Sequence, residues 1–349
     1  MAARVDTSSV LVLFLCGGGG GLACDQEGPS PDDPDAPARV SSPHDGSTWV
    51  LIPGGTLKMG SPENLGEVDE HPQHAVTLKP FYIQQTLVTN EQYATFLDSY
   101  KAPPEEVLFM VGLRGVLHRP TEIRFSTHYR PSFGYEDHPV ITLSYDGARQ
   151  YCHWAQGELP TEAQWEWAAR GGLEGKRYPW GDEFPEGKAR YGQRWNNGDH
   201  PAPTVPVASF EPNGYDLYDM AGQVWQWTQT RYQPYGPTTS PTTPASTVRP
   251  QERYAVRGGD FSSTAAQLRV AARMSYIPYT QSNFVGALGV RCVSANPSST
   301  RPTPVYIRHE LPPPALPDPK PRDVDTPLPA GSGDLPTGPG PTTFPGGVR

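Results

Sequence analysis

The sequence predicts an α+β domain poor in regular structure, and three observations predict it. Three amphipathic segments carry helix-start signals, at Thr89, Ser144 and Thr161. Short runs of alternating apolar residues precede the first of them, at 49–61 and 74–85. Beyond residue 173, turn residues and aromatics follow one another with no sustained period. Such a region has to be held by packed loops, a disulfide or bound ions rather than by helices and ladders.

The limits of the domain follow from composition. The 349 residues include 42 prolines and 36 glycines, both well above ordinary usage. Prolines crowd residues 296–349, and a tail of that kind buries too little apolar surface to offset its ordering entropy. Residues 25–47 have the same character and read as a Pro/Asp/Ser-rich linker. The remaining 48–295 suffices for one sizeable domain.

Within it, WVLIPGGTLKMGS (49–61) reads as two short strands around a Pro-Gly-Gly turn. HAVTLKPFYIQQ (74–85) reads as a strand broken at Pro80, which cannot donate to a ladder. The first helix pairs Thr89 with Gln92 at capping-box spacing, and Tyr93, Phe96, Leu97 and Tyr100 form one face. The second starts near Ser144, carries Ala148, Tyr151, Cys152 and Ala155 on one face, and has Gly157 placed to end it. The third pairs Thr161 with Gln164, turns Trp165, Ala168 and Ala169 inward, and stops at Gly171-Gly172. In RGGDFSSTAAQLRVAAR (257–273), Leu268, Val270 and Ala272 alternate with Arg269, Ala271 and Arg273, which predicts a strand buried on one face.

A net charge of −9 and the lack of a basic stripe argue against nucleic acid as a partner. The first 24 residues read as a signal peptide: Arg4, then a short apolar core at 10–15, too short to span a bilayer. Leu22-Ala23-Cys24 resembles a bacterial lipoprotein lipobox, departing from it at Gly21. The expectation is export across the inner membrane and attachment to the cell envelope by lipid on Cys24, the only membrane contact foreseen; ordinary secretory cleavage is the alternative. Removing the leader leaves Cys152 and Cys292, and outside the cytoplasm a lone pair forms a disulfide more often than two reactive thiols.

The order of the pieces resembles the sulfatase-modifying-factor family, which includes the formylglycine-generating enzymes. The resemblance rests on MGS (59–61), EHPQHAVTL (70–78), FYIQQTLVTNEQYATF (81–96), HPVITLSYDGARQYCHWA (138–155), LPTEAQWEWAARGG (159–172), YPWGD (178–182), PNGYDLYDMAGQVWQW (212–227), VRGGDFS (256–262) and GVRCV (289–293). It implies the family's C-type-lectin-like topology and a Cys152–Cys292 disulfide. Copper-dependent members hold Cu(I) on two cysteines after the Arg-Gly-Gly turn, and the matching positions here are Ser263 and Leu268. Neither is a soft ligand, so copper is not expected. A second family disulfide matches Ala169 and Val270. The family's calcium loop matches Asp219, the carbonyls of Gly222 and Val224, and Gln226, with a neutral glutamine where an acid stands in relatives. Calcium is therefore an expectation, and a loop closed by hydrogen bonds is its alternative.

Other candidates read as framework. Asp69, Glu70, His71 and His74 lack a distant ligand that would mark a metal site. Glu162 and Glu166 read as support for a helix N-terminus, and Trp225 and Trp227 as core. The function expected is a lipid-anchored binding or structural module without oxidase chemistry, its partner an envelope protein or glycan. An oxidase converting a client cysteine to formylglycine is the alternative.

Overall fold

The computed structural model describes residues 30–101, 107, 110–111, 123–125, 128–194, 203–236, 252–278 and 287–298. The predicted leader with Cys24 and the tail beyond 298 lie outside these residues.

Among the described residues, twelve short strands and three longer helices are arranged as follows. Strands β1 (Arg39–Ser41), β2 (Thr48–Ile52), β5 (Phe81–Gln84) and β12 (Val293–Ser294) form an antiparallel sheet in the order β1-β2-β5-β12. Strands β8 (Trp225–Arg231), β9 (Tyr254–Arg257), β10 (Met274–Tyr276) and β11 (Leu288–Gly289) form a second, in the order β10-β9-β8-β11, with β11 parallel to β8. Strands β3 (Gly55–Met59) and β4 (His74–Leu78) make one hairpin-like pair, and β6 (Ile123–Phe125) and β7 (Tyr129–Pro131) another. The helices are α1 (Asn90–Tyr100), α2 (Tyr145–Trp154) and α3 (Glu162–Arg170).

The helix starts follow the capping chemistry read from sequence. Thr89 accepts from the Gln92 backbone N–H at 3.2 Å while the Gln92 side chain accepts from the Thr89 N–H at 3.0 Å, and Thr161 and Gln164 repeat the arrangement on α3. Ser144 caps α2 through the Gly147 N–H at 3.0 Å. The exit of α2 differs from expectation. Gln156 takes the left-handed conformation, at φ 63°, and Gly157 serves a close approach instead. A Cβ at Gly157 would stand 2.5 Å from the Val293 carbonyl oxygen and 2.9 Å from the Trp49 ring.

The inner strands β2 and β5 of the first sheet are covered on both faces, and strict alternation divides their side chains between two cores. Trp49 and Tyr82 point to one, with Tyr93, Phe96, Tyr151, Trp225 and Trp227. Val50, Ile52, Phe81 and Ile83 point to the other, with Trp165, Ala168, Ala169 and Val270. The Cys152–Cys292 disulfide, with its Cα atoms 5.4 Å apart, ties α2 to the strand-end that precedes β12 and closes 140 residues. Constraining so long a loop in the unfolded chain stabilises by roughly 5 kcal/mol on entropy alone.

Two boundaries move. Residues 39–47, assigned to the linker by their composition, belong to the domain: β1 extends the first sheet, Asp45 accepts from the buried Tyr151 hydroxyl, and Ser47 accepts from the Trp49 indole at 2.8 Å. Composition is blind to an edge strand of three residues. The predicted strand over 268–273 is not one. Ala265–Leu268 is a 3-10 turn capped by Thr264 and Gln267, and the strand starts only at Met274. The Arg257 guanidinium takes the Val270, Ala271 and Ala272 carbonyls, at 2.9, 2.8 and 2.8 Å, so a side chain stands where a neighbouring strand would.

Candidate functional site

The stretch after Arg257 sits against α3, and arginine–glutamate pairs join them. Glu162 and Glu166 are almost fully buried rather than solvated at a helix start. Glu166 accepts from Arg170 at 2.6 Å, from Arg257 and from the Gly60 N–H at 3.1 Å. Glu162 accepts from Arg273 at 2.6 and 3.0 Å. Glu70 accepts from both Arg269 terminal nitrogens at 2.7 and 2.6 Å, and from Ser61. Burial alone would raise the Glu70 pKa, but the hydrogen bonds from Arg269 and Ser61 and the Arg269 charge outweigh it and hold the carboxyl below its usual value. Arg273 is also stacked over Tyr235, 3.9 Å from its ring centre, and over Tyr232 at 4.7 Å. The three arginines of 257–273 therefore face inward, each onto a glutamate carried by α3 or by the 61–74 loop.

Asp69, Glu70 and His74 are accounted for by the same architecture, and His71 follows the 3-10 turn Val68–Glu70. Glu70 is turned into the Arg269 pair, the Asp69 carboxylate accepts from Tyr232, and His74 packs on Tyr235 at 4.7 Å. Among the described residues no group of three or more His, Cys, Asp or Glu could hold a metal ion.

Gly258 and Gly259 both have positive φ, 96° and 75°, and let the chain turn tightly behind α3. Ser263 and Leu268, the positions matched to the copper ligands, do meet here. A Cβ at Gly259 would stand 2.7 Å from the Leu268 side chain and 3.4 Å from Ser263 Cβ. Both residues are buried. The Ser263 hydroxyl donates to Asp260 Oδ1 at 2.8 Å and accepts from the Asp260 N–H at 2.9 Å. Asp260 Oδ2 in turn accepts from the Ala287 N–H at 2.9 Å. The loop is thus closed on itself by a buried carboxylate, with an aliphatic side chain filling the remaining space. Ala169 and Val270, the matched halves of a second disulfide, share the second core with full burial.

The loop between α3 and β8 has no helix or strand among its described residues, and side chains hold it. Asn213 donates to the Ala168 and Ala169 carbonyls at the end of α3, at 2.8 and 3.1 Å, and accepts from the Tyr215 and Leu217 N–H groups. Asp219 is buried; its Oδ2 accepts from the Ala208 N–H at 2.8 Å and its Oδ1 has no hydrogen-bond partner. Burial pushes the Asp219 carboxyl up, partly countered by the Ala208 bond, the Arg291 charge and the nearby Gln223 side chain. Arg291, also fully buried, donates to the Gln84 and Gln85 carbonyls at 2.8 Å each and to the Tyr218 carbonyl, and burial brings it down to about 10.

The four positions matched to a calcium site do not present four free oxygens. Gln226 Oε1 accepts from the Trp165 indole at 2.8 Å and from Arg291 Nε at 3.2 Å, and Gln226 Nε2 donates to the Asp219 carbonyl at 3.0 Å. The Gly222 carbonyl accepts from the Val224 N–H at 2.8 Å. A hard cation takes six to eight oxygens, and here the Gln226 oxygen and the Gly222 carbonyl already accept hydrogen bonds while the Gln226 NH₂ stands against the Asp219 carbonyl, so the residues present do not fit it. Trp225 and Trp227 are core, as read from sequence; the Trp227 indole donates to the Leu143 carbonyl at 2.9 Å.

Comparison with known proteins places this architecture. Residues 36–296 match the family described as "Sulfatase-modifying factor enzyme 1-like domain". A formylglycine-generating enzyme of Streptomyces coelicolor is 33% identical, over 76% of this chain and 95% of its own length. The mouse "Inactive C-alpha-formylglycine-generating enzyme 2" is 32% identical, over 70% of this chain and 85% of its own. Among solved structures, PvdO from Pseudomonas aeruginosa aligns with a TM-score of 0.52 at 23% identity, over 73% of this chain and 97% of that one. Treponema denticola variable protein 1 aligns at 0.50 and 21%, over 74% and 98%. These two likenesses concern the fold, and it is the family match, the sequence identities and the run of motifs from residue 59 to 293 that identify the chain as a member of the sulfatase-modifying-factor family.

Proposed function

We propose that the chain is a family member without oxidase chemistry, exported and held at the cell envelope by lipid on Cys24, whose rigid scaffold binds an envelope protein or a glycan. One observation carries the reading. The positions matched to the copper ligands are a serine whose hydroxyl is spent on Asp260 and a buried leucine. The cysteines of the domain, Cys152 and Cys292, are both fully buried and joined to each other. Cu(I) needs soft thiolates, and this arrangement offers none. Calcium has no part in the proposal. The fold itself hosts enzymes and non-enzymes alike, so the argument stands on the site.

A second reading has one observation in its favour: the 33% identity that runs through 95% of the Streptomyces coelicolor enzyme. An oxidase would have to free Cys152 and Cys292 from their disulfide, or work without thiols. The deciding experiment is a competitive Cu(I) titration of a Cys16→Ser/Cys24→Ser chain, with oxygen uptake followed on addition of a cysteine-containing peptide. The proposal expects neither binding nor uptake; both together would establish the oxidase reading.

A further inference from the structure

The loop from Asp219 to Gln226 is where this chain and the calcium expectation part, and the chemistry of one side chain explains why. Gln226 is fully buried between two kinds of neighbour. On one side stand the Trp165 indole N–H and Arg291 Nε, which can only donate. On the other stands the Asp219 carbonyl oxygen, which can only accept. A carboxamide has one oxygen and one NH₂, and it satisfies both sides in a single orientation. A carboxylate of the same shape would satisfy the first side and set its second oxygen against the Asp219 carbonyl, acceptor against acceptor. Only a cation or a proton between them would relieve that contact.

We propose that the Gln226 carboxamide closes this loop in the place a calcium ion would occupy, so that the protein is calcium-independent and residue 226 decides whether the loop takes a hard cation. The rest of the loop is arranged to match. Gly222 donates to the Gly258 carbonyl at 2.9 Å, and Gln223 donates to the Arg190 carbonyl at 2.9 Å and exchanges both amide bonds with Val205. Arg291 holds the Tyr218 carbonyl at the loop's start. Asp219 Oδ1, a buried side-chain acceptor with no hydrogen-bond partner, becomes part of a cation site only when an anionic oxygen at position 226 joins it.

The test uses the full chain and its Gln226→Glu variant, with calcium and with terbium as a luminescent hard cation. Trp165 is in hydrogen-bond contact with residue 226, so terbium held there would be excited through its indole. Wild type is expected to show no sensitised terbium emission and the same Tm in millimolar calcium as in chelator. The variant is expected to gain emission and a calcium-dependent Tm, rising roughly 5–10 °C at about 100 times Kd. Calcium that raises the wild-type Tm, reversed by chelator, would overturn the proposal whatever the variant does. A folded variant that gains neither signal would overturn it as well.

Discussion

Replacing Glu166 by glutamine should cost the domain a large part of its stability. The side chain is fully buried and holds two guanidiniums, Arg170 at 2.6 Å and Arg257, together with the Gly60 N–H at 3.1 Å. Glutamine keeps the shape, but only one oxygen remains to accept and its NH₂ must face a donor. Arg257, which uses Oε2, then has Glu162 as its nearest carboxylate, at 3.6 Å, while Arg170 and the Gly60 N–H keep the amide oxygen without its charge. Removing one partner from a buried, hydrogen-bonded ion pair typically costs about 3–5 kcal/mol, because the remaining charge stays desolvated. For a domain of this size that is a fall in Tm of roughly 10 °C. Urea unfolding measures it as a lower midpoint at unchanged slope. A Glu166→Gln loss under about 1 kcal/mol would mean that these charges are screened or rearranged, and the account of the 257–273 segment would fail.

Three further outcomes are expected. Glu70 has a lowered folded pKa, so its contribution is present above the unfolded carboxylate range near pH 4.3 and is lost as pH falls through the folded value. In Arg269→Met the same carboxyl is buried without its cation and its pKa rises, so the Tm gap between wild type and variant should narrow as pH is lowered from 7 to 4; a constant gap would contradict the pairing. Gly157→Ala drives a methyl into the Val293 carbonyl and the Trp49 ring and should destabilise by about 1–3 kcal/mol in a melting experiment, whereas a neutral result would deny the close approach. Non-reducing peptide mapping should find Cys152 and Cys292 in one cross-linked pair, and unfolding in reductant should lower the urea midpoint; separate alkylated peptides would refute the bond.

Much of the scaffold was legible because it is written in short range. A Thr and a Gln three residues apart, as at Thr89 and Thr161, form a complete local signal, and both capping boxes are present. Alternation in 49–52 and 81–84 gave strands whose faces divide between two cores. What was not legible depends on partners distant in sequence. Glu166 and Arg257 are 91 residues apart and Glu70 and Arg269 are 199 apart, so nothing local announces that those acids are buried. Residues 268–273 alternate convincingly, yet the carbonyls of 270–272 are claimed by a guanidinium, and no ladder forms. Asn213 looks like one more turn residue until its amide is found capping α3. At the site, the resemblance located Ser263, Leu268 and Gln226; only the structure shows that the first two meet at Gly259 and which way the third faces.

The claim that oxidase chemistry is absent is tested most directly by metal stoichiometry. A Cys16→Ser/Cys24→Ser chain, titrated with Cu(I) against a chromogenic chelator, is predicted to take no copper, and its two thiols to become titratable only after unfolding in reductant. One copper bound tightly by the folded, unreduced protein would contradict the account.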